Sequence, residues 1–574
     1  MNPNPYRREL LIRGGTLGLA TLSGCACPWP SAPMGEIPSL LPGTLSPPPH
    51  QPGSLALPIV IDAHCHVFNV EDVPASAFLK GPVAHQLQQF DAKLIKALAD
   101  IISAIAYLLA PSARDELEML KGLSDYASRH PPHAVRDLID RARKEQQQKF
   151  IRAFSLAAQD PAFAAAYNKQ YFMAFGKLPD DEHSLSENEI YRILNEPPPA
   201  QTRGVDADPR HLVIFAHTLT SPRYLNLASI QKAYSGGPGF PAIDVFCLSL
   251  VDFDYWLGCK ESSTSQPDQT RLLEQIAIMS GGAILPFVSY NPQSDFEQQD
   301  ASFERVVDAI IHRGFIGVKI YPPMGYMPYG NACQARPGDC PVLNNAKEID
   351  HRLGRLYAWC VDNNVPVMSH TSHSFGKTDA HDDCAAPYGW QKALEKFDGL
   401  RVQAGHFGGD SQHAHQKAWA VEYVRLMALP KARNLYVDLS NLGDLFTPDS
   451  DVQQAIEPLF STPVSADSTE LAANRMVFGS DWYMTQLSGV SDTYVPNMNA
   501  YLERLERTPA PGIPDLRKRV FGMNAVRLYG LAPGPIGGNA TNWDRLKRYY
   551  DKKKITTPAW MCKLGANCAE AKNP

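Results

Sequence analysis

Two histidines one residue apart close an apolar run near residue 60: PIVIDAHCHVF, from Pro58 to Phe68. Ile59 to Asp62 reads as a buried strand, and His64 and His66 follow at its far end. Side chains alternate faces along a strand, so Asp62, His64 and His66 are expected to point one way and Ala63 and Cys65 the other. Two imidazoles converging from one strand end can hold a divalent ion, and imidazole suits zinc, iron, nickel or copper. Alone, such a pair is equally well explained as two hydrogen-bonded surface histidines. Four further polar residues stand in or end later apolar runs: Lys319 in FIGVKIYPP, His370 in VPVMSH, His406 in LRVQAGH and Asp481 in RMVFGSDW. Each has an ordinary explanation as well, His370 as a strand cap and Asp481 as an acceptor for a loop. Such separate explanations do not account for six polar residues at equivalent places.

The elements that must position them are eight short apolar runs. After Ile59–Asp62 they lie at 242–253, 283–290, 315–323, 365–370, 400–406, 434–440 and 475–482, most of them separated by amphipathic helical stretches. Near-continuous apolar strands alternating with helices indicate a parallel sheet covered by helices. Eight such units predict an α/β fold, the (β/α)8 TIM barrel, with its active site at the C-terminal strand ends. A doubly wound open sheet is the competing architecture, but no Gly-rich phosphate turn follows any strand. Alternation puts Lys319 on the inner face with Gly317 and Tyr321, where a lysine is costly unless paired or chemically altered. From Asp72 to about Arg203 the pattern is helical, divided by prolines. The expected organisation is a barrel from 58–82 and 206–535, a helical insertion at 83–205 and a C-terminal tail at 536–574. The insertion leaves from the first βα loop, on the active-site side, where it either roofs the pocket or binds a second chain as a homo-oligomer. The tail reads as a basic helix with a solvated face.

The chain has 574 residues, 44% hydrophobic and 20% charged, and a net charge of -6. These values describe a globular protein and give no basic footprint for nucleic acid. No apolar run reaches the length of a membrane-spanning helix. Arg7-Arg8, a mild Gly/Ala/Leu stretch and Leu22-Ser23-Gly24-Cys25 have the order of an export signal. RRELLI resembles a twin-arginine signal and LSGC a lipoprotein box, with Cys25 lipidated. Residues 26–57 are rich in Pro, Ser and Gly and read as a tether. The expected location is outside a bacterial cytoplasm, in the periplasm or membrane-anchored at the outer membrane through that lipid. Eleven cysteines then become disulfide candidates. Cys333 and Cys340 bracket one short loop and Cys562 and Cys568 another, with neither pairing fixed by spacing.

The stretches DAHCHVF, GFIGVKIYPP, VMSHTSH, AGHFGG, VFGSDW and GMNAVRLYGL resemble the amidohydrolase superfamily, and within it the amidohydrolase-2 branch of metal-dependent TIM-barrel hydrolases. The resemblance covers the first strand and roughly 242–532. It implies that His64, His66, His370 and Asp481 bind one divalent metal, commonly zinc, and that His406 binds a second metal or contacts the substrate or nucleophilic water. Lys319 bridges two metals in such proteins when carbamylated; the expectation here is one metal with Lys319 as a nearby cation. A metal with an open position acidifies bound water and polarises the scissile carbonyl, while Asp481 takes the proton and passes it to the leaving group. The imidazoles must be neutral to ligate, so activity should collapse in acid. Tyr321, His373 and Trp482 flank the ligands as substrate-contact candidates, with ordinary rim packing as their other reading. The implied function is hydrolysis of an ester, lactone or amide of a small molecule. A decarboxylase of the same branch and a non-enzymatic surface lipoprotein that binds a partner are the alternatives.

Overall fold

The computed structural model describes residues 38–565 apart from 88, 179–184, 197–206, 259–261, 334–336, 410–415, 466, 509–511 and 535–538. The expected signal with Cys25, the first part of the expected tether (26–37) and Cys568 therefore lie outside the described residues. The rest of that stretch packs on the barrel, with Leu40 and Leu45 buried and the Leu45 amide donating to the Met279 carbonyl at 2.7 Å. Eight strands follow in order: β1 (Ile61–Cys65), β2 (Val245–Ser249), β3 (Ile284–Ser289), β4 (Gly317–Ile320), β5 (Val367–His370), β6 (Val402–Gly405), β7 (Leu435–Asp438) and β8 (Met476–Val477). Each pairs in parallel with the next. The ring is completed by the amide of Ala63, which donates to the Phe478 carbonyl at 2.9 Å, and that of Asp481, which donates to the His64 carbonyl at 2.7 Å. This is a TIM barrel.

Both faces of every strand are buried, which is why the runs read as continuous apolar stretches. Val60, Phe246, Val318, Val367, Val402 and Val437 face the surrounding helices. Val245, Leu285, Phe287 and Met368 fill the interior. Gly317 is required there, because a Cβ at this position would stand 2.2 Å from the Phe287 ring. Lys319, two residues on, faces inward as alternation predicts.

Strand β1 departs from simple alternation. Its register with β2 shifts between Asp62 and Cys65, and such a shift re-aims the side chains that follow. Asp62 does not join the histidines. Its carboxylate accepts from the Ser480 amide at 2.9 Å, the Ser480 hydroxyl at 2.5 Å and the His64 amide at 3.2 Å. Burial pushes its pKa up to about 7, against those hydrogen bonds.

After β1 the chain runs through helices that include Ala92–Leu109, Ala113–Ala127, Pro132–Ala157 and Pro161–Phe175. Helix continues beyond Arg203, as Pro209–Leu219 and Arg223–Ala233. The first of these is started by Asp208, whose side chain accepts from the Arg210 amide, with Pro209 in the first turn. Among the described residues, no single helix is long and apolar enough to cross a membrane. At the far end of the chain, the helix Asn542–Lys553 is not simply a solvated basic face. Leu546, Tyr549 and Tyr550, at helical spacing, pack beneath the barrel. The Asn542 side chain donates to the carbonyls of Ile316 at 2.7 Å and Tyr529 at 2.8 Å.

The helical region is fastened to the barrel by a buried ion cluster. Arg223 donates through Nε to Asp72 at 2.7 Å and through Nη1 to Glu116 at 2.9 Å and to the Pro111 carbonyl at 3.1 Å. All three charged side chains are buried, so removing the arginine strands two carboxylates in low dielectric. The Arg223→Met variant should lose about 3–5 kcal/mol, read as a fall of several degrees in thermal unfolding. An unfolding temperature within a degree of the parent would show that the cluster does not fasten the two parts.

Candidate functional site

At the C-terminal rim the strand ends converge on one cavity of about 820 Å³, counted out to its open mouth. His64, His66, Lys319, His370, His406 and Asp481 all line it. One ligand atom from each of His64, His66 and Asp481 lies within 4.8 Å of the others, and all three residues are buried. The Nε2 of His66 stands 3.9 Å from Asp481 Oδ1. A second triad joins His64 to His406 and Asp438 within the same limit, but its atoms are occupied by one another. Ser440 Oγ lies 3.0 Å from His64 Nδ1, 2.9 Å from His406 Nδ1 and 2.5 Å from Asp438 Oδ1. His370 belongs to neither triad. Its ring stands 4.7 Å from that of His406 and is stacked at 4.5 Å on Tyr321.

The outward-turned nitrogens are held by fixed acceptors, which decides which nitrogen faces the cavity. His66 Nδ1 lies 2.8 Å from the Ser249 carbonyl, so it carries the proton and leaves Nε2 with its lone pair. His64 Nδ1 lies 3.0 Å from Asp438 Oδ2, which leaves its Nε2 at 3.1 Å from Lys319 Nζ. His370 Nε2 lies 3.1 Å from the Ser374 carbonyl, with the Ser372 hydroxyl at 2.8 Å, so Nε2 carries the proton and Nδ1 keeps the lone pair.

Asp438, at the end of β7, is the hub beneath these groups, and Ser440 works with it. Its carboxylate also accepts from the His406 amide at 2.8 Å and the Gln403 side chain at 2.7 Å. Burial alone would raise its pKa, but His64, His406 and Ser440 outweigh burial and hold it well below the usual carboxylate range. Neither Asp438 nor Ser440 was picked out from the sequence. The signal was there, an acidic residue closing the apolar run NLYVDLS, just as Asp481 closes its own.

Burial lowers the pKa of His66 and His370 well below 6.5, reinforced by Lys319 and neighbouring histidines. His406 falls to about 3, mainly through burial. Neutral imidazoles with lone pairs aimed inward are the form that ligates metal. Burial also lowers Lys319 to about 8, partly offset by Asp438 and Asp481, and raises Asp481 against His64 and Lys319. His406 and Asp481 have φ values of 63° and 48°, left-handed backbone that costs a non-glycine residue about 1–3 kcal/mol and is concentrated at functional sites.

Of the flanking candidates, Tyr321 and His373 line the cavity and Trp482 does not. Asp481 takes a left-handed turn into the helix Trp482–Leu487, and Trp482 is buried in the surrounding core while Tyr483 and Met484 face the cavity. His373 is engaged on both nitrogens, Nε2 at 3.2 Å from Asp383 and Nδ1 at 3.7 Å from Asp382. The next residue, Cys384, is bonded to Cys340, so the loops after β4 and β5 are tied together. The bracketing pair Cys333 and Cys340 is therefore not a disulfide, and Cys333 is an exposed free thiol. Phe68, Phe78 and Gln86, from the chain just after β1, form part of the cavity wall. Their neighbour His85 reaches across to pair with Asp379 of the β5 loop. The start of the long connection thus roofs the cavity.

Residues 266–531, a little under half of the chain, match a family model described as amidohydrolase, Amidohydro_2. No curated protein matches the chain. Among solved structures, an amidohydrolase from Burkholderia multivorans with bound zinc is 15% identical, covering 50% of this chain and 84% of that one, with a TM-score of 0.30. A Lactobacillus casei protein is 14% identical over 82% of this chain and 95% of that one, at a TM-score of 0.34. A 2,6-dihydroxybenzoate decarboxylase from Rhizobium is 14% identical over 53% and 87%, at 0.30.

Asp438→Asn keeps the shape at the hub but weakens the acceptor that orients His64. Zinc affinity, read by competition with a chelating dye, should fall roughly 10- to 100-fold while the circular dichroism spectrum is unchanged. An unaltered affinity would remove Asp438 from this role.

Proposed function

We propose that this chain is an amidohydrolase-type enzyme that hydrolyses an ester, lactone or amide of a small molecule at a divalent ion, most simply one zinc. The observation that carries this reading is the meeting of His64, His66 and Asp481 within 4.8 Å, from opposite ends of the chain and all buried. With His370 they form the proposed ligand set, and the amidohydrolase family match supports it. A bound ion would polarise the carbonyl and acidify a water molecule. Asp481, whose carboxyl burial raises above the ordinary range, accepts the proton of the attacking water and returns it to the leaving group. His406, with Nδ1 held by Ser440, turns Nε2 to the cavity to hydrogen-bond the substrate oxygen or water. The Lys319 ammonium stands at the same His64 nitrogen that would ligate. Its lowered pKa eases the loss of its charge, as the free amine or as a carbamate, when a cation is bound.

Chelation should abolish hydrolysis of an aryl ester panel and zinc should restore it, with ¹⁸O from water entering the acid product. Release of CO2 from a panel of aryl carboxylic acids, with the esters left intact, would replace this reading by the decarboxylase. A chain that holds no metal, with His64→Ala changing neither stability nor activity, would favour the partner-binding lipoprotein. Because burial keeps His66 and His370 neutral well below pH 6.5, an acid limb set by these two residues belongs below that value. A limb at or above pH 6.5 would contradict it.

We further propose export by the twin-arginine route and lipidation at Cys25, placing the chain in the periplasm or at the outer membrane. The Cys340–Cys384 bond supports an oxidising compartment. Protein taken from cells into thiol-blocking buffer should carry this pair closed, and recovery of both as blocked thiols would argue for the cytoplasm.

A further inference from the structure

The walls above the His64, His66 and Asp481 cluster are two runs of aromatic rings. On one side Phe78 stacks on Phe253 at 5.3 Å, Phe253 meets Tyr321 edge-on at 4.9 Å, and Tyr321 stacks on His370 at 4.5 Å. The other run starts at His66, whose ring is 6.1 Å from Phe68, and Phe68 stacks on Tyr483 at 4.5 Å. All these residues line the same cavity. Each run descends from the roof to a proposed metal ligand, so a flat ring placed along either one brings its substituent to the cluster.

Charge narrows the choice further. Among the described residues that line the cavity there is no arginine, Lys319 is the sole lysine and Asp481 the sole carboxylate. Lys319 is on the floor against His64, and both nitrogens of His373 face carboxylates. A carboxylate or phosphate carried far from the reacting carbonyl would lose its hydration against these walls without meeting a counter-ion. Stacked and edge-on ring contacts reward an arene beyond the area it buries.

We propose that the cavity takes an aromatic carbonyl compound whose ring bears no charged group away from the reacting carbonyl, the ring lying against the Phe78–Phe253–Tyr321 and Phe68–Tyr483 walls. This deepens the proposed function and rests on its placement of the reacting centre at the His64, His66 and Asp481 cluster. Hydroxamates separate the two claims, since the hydroxamate group chelates zinc and its substituent samples the walls. Acetohydroxamic, benzohydroxamic and 4-carboxybenzohydroxamic acids would be titrated by calorimetry into the zinc-loaded full chain. Benzohydroxamate should bind at least about tenfold tighter than acetohydroxamate, and the ring carboxylate should cost at least about tenfold of that gain. The variant Phe78→Leu should weaken benzohydroxamate roughly threefold to tenfold and leave acetohydroxamate unchanged. Equal binding of the acetyl and benzoyl compounds overturns this inference while leaving the metal reading in place, as does tighter binding of the ring carboxylate. An equal effect of Phe78→Leu on both ligands does the same. Failure of all three hydroxamates to bind overturns the metal reading and this inference with it.

Discussion

The closure of the barrel between its last and first strands is the constraint on which the site depends. There the Asp481 amide donates to the His64 carbonyl at 2.7 Å. That single bond sets a carboxylate from one end of the chain beside two histidines from the other. A closed ring has no free edge and little freedom to slide, so the distance between these side chains is fixed by the packing of all eight strands. It is also why the left-handed backbone at Asp481 is tolerated. The bond to His64, and those from Met484 and Thr485 back to the Asp481 carbonyl, over-determine its conformation.

Burying so many ionisable groups at one rim is costly unless each is neutral or fully hydrogen-bonded. The structure uses both solutions. His66, His370 and His406 are neutral because their surroundings penalise charge. Asp438 keeps its charge because His64, Ser440, Gln403 and the His406 amide all point at it. One ionised acceptor therefore orients His64 directly and His406 through Ser440. The lone pairs are aimed before anything binds, the condition under which a site need not reorganise during chemistry.

Much of this was legible in the sequence because strand ends are recognisable. An apolar run that stops at His, Lys or Asp marks a rim position whatever the details of packing, and His64, His66, Lys319, His370, His406 and Asp481 were all found that way. What escaped depended on interactions between distant segments. The register shift in β1 is set by pairing with β2 and removes Asp62 from the histidines' face. Cys340 pairs with Cys384 because two rim loops meet, which spacing along the chain does not encode. Trp482 follows Asp481 immediately, yet the turn at Asp481 sends it into the core and gives its place to Tyr483 and Met484. Asp438 carries the same signature less plainly, because Leu439 continues the apolar run past it.

The long connection after β1 then has a physical rationale. A bare rim would leave the cluster open to bulk water, where screening weakens every charge–dipole interaction in it. The residues of the connection that line the cavity, Phe68, Phe78 and Gln86, come from its first stretch after β1. The roof is thus covalently continuous with the strand that carries His64 and His66. Farther along, Arg223 ties the returning helices to Asp72, only six residues beyond His66. Both ends of the connection are therefore anchored beside the same strand end. Any displacement of the roof works against the Arg223 cluster at one point and the His85–Asp379 contact at another. Access to the cavity is governed by side chains of the connection and the β5 loop, while the geometry of the reacting groups is left to the barrel.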